Sequence, residues 1–263
     1  MTADERLALV KIKIERAKKH IVDLAGEIGI FRESRPYEIG INGNVHYIVS
    51  FRETPVIFAT ITGDILHNLR SALDHLAQQL FLVGTNEAQG LGTHVYFPIK
   101  ESATKYKSLF EGKVKGMRQD AKDAIWAIEP YNGGKGNDFW MLHELNIIDK
   151  HRLLLTAMSS FESADLGGYV SAQFRELMKK TRGEEYESPI LSVFFKSEDV
   201  LRPLKVGDVL FTAPPIANHN MQFGFQIALN EPGIAEGKPL IETLQHLTDL
   251  VSSTVLEFKP CLV

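Results

Sequence analysis

Cysteine is almost missing from this chain: 263 residues hold one, Cys261, near the end. A lone cysteine excludes an intrachain disulfide and a cysteine zinc cluster, and it fits a cytoplasmic home. Long apolar runs are missing too. No stretch approaches the ~18 residues of a membrane span, so no membrane partner is expected. Met1-Thr2-Ala3-Asp4-Glu5-Arg6 shows no basic-then-apolar signal pattern. Nor is there an excess of positive charge. Lys and Arg total 29 against 33 Asp and Glu, a net charge of -4, which argues against a generic nucleic-acid coat and leaves only local basic patches. Low-complexity segments and internal repeats are absent. What remains, 44% hydrophobic and 24% charged residues, is the balance of a globular chain with a sizeable core.

The apolar periodicity predicts an α+β fold. Leu7, Val10, Ile14, Ala17, Ile21, Leu24 and Ile28 follow 3–4 spacing, the mark of a long helix over about 3–30. Lys11, Lys13, Arg16, Lys18, Lys19 and His20 lie between them, as a solvated face over a core or as a basic ridge or coiled-coil flank. Tyr37 to Ile41 and Val45 to Phe51, joined by Asn42-Gly43-Asn44, read as a hairpin insertion. Thr54-Pro55 reads as the N-cap and first turn of a second helix to about Leu82. Residues 84–100 look irregular, with a short strand at Thr93 to Phe97. Shorter helices are expected near 102–112 and 117–128. Glu129 to Asn137 is a break rich in glycine. Further helices follow over 138–150 and 238–257. An antiparallel sheet is expected mainly over 153–230, with 173–180 of uncertain type. A bundle of long helices with this sheet alongside makes one interwoven domain over 1–263.

One helical stretch stands out. Wound at about 100° per residue, Asp64, His67, Asn68, Ser71, Asp74, His75 and Gln78 share about a third of the circumference. Ile65, Leu66, Leu69, Ala72, Leu73, Leu76 and Leu80 take the other side. The polar stripe has no Lys and no Glu, the usual residues of a solvated face. Short hydrogen-bonding groups and two imidazoles take their place. Residues 137–152 echo it. That helix is apolar on two sides, as buried helices are, with His143, Asn146 and Lys150 along one boundary and Glu144 and His151 along the other. Buried polar groups need partners, so the two helices are expected to be neighbours facing a shared groove.

The candidate site is therefore His75, Arg70, Asp74 and His67 for catalysis, with Asp64, Asn68, His143, Asn146, Lys150 and His151 for binding. Imidazoles beside carboxylates suit general acid–base work. Arg70 and Lys150 suit a phosphate or another anion. Together they suit metal-independent cleavage of a phosphodiester. The same residues also read as a structural seam, with Arg70–Asp74 an i,i+4 ion pair and Asp149 to Arg152 a charged helix end. Asp64 and His67, with Glu144 or His143, hint at metal, but Arg70 and Lys150 oppose a cation, and no metal or cofactor is expected. Gly133-Gly134-Lys135-Gly136-Asn137 reads as a connector capping the next helix, or as an anion loop. Ser71 is in no strained nucleophile turn.

Arg70-Ser71-Ala72-Leu73-Asp74-His75 resembles the Arg-x4–6-His motif of the HEPN superfamily. That resemblance implies a helical bundle acting as a metal-independent endoribonuclease. RNA would be its substrate and a homodimer would bring two motifs together, with Arg70 on phosphate and His75 as the catalytic imidazole. Asn68 to His75, followed by Asp149 to Arg152, is also similar to a motif pair in a family of bacterial proteins with no known activity, which implies a bacterial or phage-associated protein. The alternative is a non-catalytic module that binds a small anionic ligand or a protein in the same groove.

Overall fold

The computed structural model describes residues 1–86, 95–152, 155, 157–183, 194–196, 202–212 and 221–263. Helix α1, Ala3–Glu33, starts on a capping box. Thr2 Oγ1 accepts from the Glu5 amide at 3.2 Å, and Glu5 Oε2 accepts from the Thr2 amide at 2.8 Å. Two of the donors orphaned at a helix start are thereby satisfied. All seven apolar residues of the 3–4 pattern are buried. They pack on α2, Val56–Gly84, and on α7, Leu240–Glu257. The α1 stripe is thus covered by its own chain. Helix α5, Asn137–Arg152, packs on the flank of α2.

Where α2 meets α5 the Asp149 carboxylate rests against Gly63. A Cβ there would overlap the Asp149 carboxylate. The N-terminus of α2 differs from expectation. Pro55 is its cap residue, without a side-chain hydrogen bond. The Thr54 hydroxyl instead donates to the Ala157 carbonyl at 2.7 Å, tying the entry of α2 to the sheet.

Strands β1, Tyr37–Asn42, and β2, Val45–Phe51, form the hairpin. Gly43 takes φ +60° in its two-residue turn, as a tight β-turn demands. Strand β3 is Ala157–Asp165, β4 Phe194–Lys196, β5 Val209–Thr212, β6 Gln222–Leu229 and β7 Lys238–Pro239. They divide into two antiparallel sheets, β1-β2-β5 and β4-β3-β6-β7. The hairpin therefore captures β5, which the sequence had assigned to the later sheet. Tyr37 joins the two layers. Its ring stacks on Phe225 at 3.9 Å, and its hydroxyl donates to Ser159 Oγ at 3.0 Å.

Helices α3, Ala103–Lys113, and α4, Gln119–Ile128, lie between α2 and α5 in sequence. The stretch of uncertain type belongs to α6, Gly167–Arg182, whose exposed Phe174 and Leu177 give it little apolar face to read. Residues 95–97 form no strand; the amide and carbonyl of Phe97 bond instead to α2. Thr93 and His94 of the expected strand, and residues 184–193 and 213–220 of the expected sheet region, lie outside the described residues. Among the described residues, no helix is long and apolar enough to cross a membrane.

Gly63→Ala should destabilise the fold by no more than about 1 kcal/mol, since the Asp149 carboxylate must swing aside while alanine is the better helix former. Adding Asp149→Ala should recover most of the loss. Urea titration of the two single variants and the double variant measures the coupling.

Candidate functional site

The chemistry gathers around Arg70, which is 7% exposed. Its Nε donates to His143 Nδ1 at 3.2 Å, its Nη1 to Asp74 Oδ1 at 2.5 Å, and its Nη2 to the Phe97 carbonyl at 3.1 Å. The Phe97 amide donates back to Asp74 Oδ1 at 3.0 Å. The Arg70–Asp74 pair thus grips both sides of one extended residue. This i,i+4 pair works as a clamp that holds residues 95–100 against α2. The far end of that segment is held by the Lys100 amide, which donates to the Pro130 carbonyl at 3.1 Å.

Between α2, α5 and the clamped segment lies a cavity of about 360 Å³. Helix α5 supplies one face at i, i+3, i+4, i+7 and i+8 spacing: His143, Asn146, Ile147, Lys150 and His151. Helix α2 supplies Arg70 and Asp74. Tyr96 to Lys100 form the opposite wall, and Lys113 reaches in from α3, its Nζ 5.9 Å from the centroid of the Tyr96 ring. Arg70, Lys100, Lys113 and Lys150 are four cations facing one carboxylate, Asp74.

Burial pushes both titratable partners of Arg70 toward their neutral forms. The His143 imidazole is held down to about 4, first by burial and then by Arg70, Lys100 and Lys150. A guanidinium only donates, so Nδ1 of His143 carries the lone pair and Nε2 carries the proton. His143 is therefore a neutral hydrogen-bond donor, unsuited to act as a base. Asp74 is raised above the ordinary carboxylate range by burial, against the pull of Arg70 and the Phe97 amide. Asn146 is 3% exposed, and its Oδ1 has no hydrogen-bond partner.

Six predicted residues thus line the cavity: Arg70, Asp74, His143, Asn146, Lys150 and His151. Four do not, and the reason is angular. Arg70 and His75 are five residues apart, about 140° around a helix. Arg70 enters the cavity, whereas His75 is exposed and lies outside it. Asn68 is spent on its own helix, its Nδ2 donating to the Asp64 carbonyl at 2.7 Å. Asp64 and His67 are exposed. The field of Lys150 and Lys13 joins burial in lowering His67, while Asp64 and Asp149 oppose them. The polar stripe is wider than the cavity, which takes only its Asp74 edge together with the neighbouring Arg70. Sequence reasoning missed Tyr96, Lys100 and Lys113, whose arrival depends on long-range folding.

Two further features bear on the site. Among the described residues, no group of three or more His, Cys, Asp or Glu side chains is arranged to hold a metal ion. The 133–137 loop spends its backbone donors internally. Gly133 donates to Asn137 Oδ1, Gly134 to the Tyr131 carbonyl, Gly136 to that of Glu129 and Asn137 to that of Gly134. Those amides are not available to an anion, and the Asn137 side chain closes the loop rather than capping α5. No protein-family model matches the chain, and neither a curated protein nor a solved structure does.

NMR of the imidazole nitrogens should find His143 as the Nε2–H tautomer above pH ~5, titrating near 4. Its folded pKa is below its unfolded value of 6.5, so the unfolded chain binds the proton first. This group's contribution to stability should fall as pH drops from about 6.5 toward 4. His143→Gln should flatten that part of the pH–stability profile.

Proposed function

We propose that the protein binds a small anion, with phosphate the best-suited group, in the cavity between α2, α5 and residues 95–100. The carrying observation is charge: four cations and one carboxylate line about 360 Å³. Lys100 and Lys113 are half-buried and Lys150 is exposed, so their like charges converge on a partly desolvated pocket, where charge-assisted hydrogen bonds to an anion are strong. The neutral His143 adds a donor at Nε2. Arg70 is already engaged by three protein partners, so it organises the site, and Lys100, Lys113 and Lys150 carry the recognition. The buried thiol of Cys261 suits a cytoplasmic setting.

A second reading, metal-independent cleavage of a phosphodiester such as RNA, has one observation in its favour. His151, not His75, is an exposed imidazole on the cavity wall beside Lys150, where it would serve as the acid–base group. On that reading His151 takes the acid–base role expected of His75.

Calorimetric titration with inorganic phosphate should show one site that weakens as salt rises. Lys100→Ala and Lys150→Ala should each weaken it about tenfold, and Lys135→Ala, which does not line the cavity, should leave it unchanged. Equal binding by all four proteins rejects the site. For the second reading, a short RNA incubated with chelator should be cut by wild type and His75→Ala but not by His151→Ala. An uncut RNA throughout removes cleavage and leaves binding.

A further inference from the structure

Charge explains the lysines of the cavity but not Tyr96. Its side chain stands on the cavity wall and is 47% exposed, while the next residue, Phe97, is 1% exposed and packs on Phe139 and Phe258. One exposed aromatic residue alone is ordinary. Two features set this one apart. Its mount is fixed: Asp74 accepts from the Phe97 amide and Arg70 donates to the Phe97 carbonyl. The ring is thus presented from a backbone with little freedom left to lose on binding. Its company is also cationic. Tyr96 lines the same cavity as Lys100 and Lys150, and its ring neighbour is Lys113, with Nζ 5.9 Å from the ring centroid. That is near the ~6 Å limit of a cation–π contact, so the ammonium keeps its hydrogen bonds for an anion.

An open aromatic face beside such cations suits a ligand that joins a flat ring to an anion. Inorganic phosphate or a simple sugar phosphate would use the lysines and leave the ring idle. A nucleoside 5′-phosphate uses both. Its phosphate monoester carries close to two negative charges at neutral pH, and its base can stack on an aromatic side chain whatever the base, because every base has a π-face. The ribose bridges the two groups. A phosphate attached directly to an aromatic ring lacks that bridge, and its ring would compete with the lysines for the same space.

We infer that the ligand is a nucleoside 5′-phosphate and that Tyr96 is the residue that selects it over other phosphate esters. The phosphate lies among Lys100, Lys113 and Lys150, and the base stacks on Tyr96 at the exposed edge of the cavity. This rests on the anion-binding reading above and adds to it the chemistry of the ligand's second group.

The test compares adenosine 5′-phosphate with ribose 5-phosphate, which keeps the phosphate and the sugar but has no base. In calorimetry, wild type should prefer adenosine 5′-phosphate about tenfold, the size of one base–aromatic stack. Tyr96→Ala should bring the two affinities within about twofold, mainly by weakening adenosine 5′-phosphate. Tyr96→Trp, which restores an aromatic face, should keep the preference. No preference in wild type overturns the inference, and so does a preference that survives in folded Tyr96→Ala. If ribose 5-phosphate binds in a lysine-dependent way and adenosine 5′-phosphate has no advantage, only the role of Tyr96 falls. If neither ester nor inorganic phosphate binds wild type, the anion cavity is rejected and this inference with it.

Discussion

The guanidinium of Arg70 is the constraint on which the site depends. It stays protonated under all ordinary conditions, it is almost fully buried, and an unpaired charge there would be strongly destabilising. Its planar fork meets that demand by bonding in three directions: to its own helix through Asp74, to α5 through His143, and to residues 95–100 through Phe97. One side chain thus sets the register of three pieces of chain that are remote in sequence. The cavity is the space left between them. Lysine has no planar fork and would not reproduce this geometry.

The same burial that demands partners for Arg70 also shapes the electrostatics. Moving His143 and Asp74 out of water disfavours their charged forms, so His143 falls and Asp74 rises. Both shifts make the site's own groups poorer counterions for its lysines or poorer proton acceptors. Positive charge is therefore left over within the cavity wall, in a chain whose net charge is -4. That local reversal of sign is the reason to look for an anion here.

Much of the scaffold was legible because it depends on local periodicity. The α1 stripe from Leu7 to Ile28 follows from 3–4 spacing alone, and the hairpin follows from Asn-Gly. The cap at Thr2–Glu5 was also written in the sequence, as Thr-x-x-Glu. The wall from Tyr96 to Lys100 was not. Its order comes from Arg70, Asp74 and Pro130, partners far away in sequence, and no pattern within 84–100 announces them. Lys113 looks like any solvated lysine until α3 is folded against that wall. Thr54 misled for a related reason: a good N-cap residue found a longer-range acceptor in Ala157.

Arg70 and His75 do not share one cavity edge, for a reason internal to helices. A spacing of five turns about 140°, so two such residues meet at one locus only when the groove wraps the helix or when a second chain supplies one of them. Here the groove touches one edge of α2, and α5 covers it at 3–4 spacing. On α5 the residues His143, Asn146, Ile147, Lys150 and His151 fall naturally on one wall. The cavity wall therefore draws more on α5 than on the Arg-x4-His motif. Arg70 belongs to the site because it is spent on holding it, and the groups free to meet a ligand are those of α5 and the clamped wall.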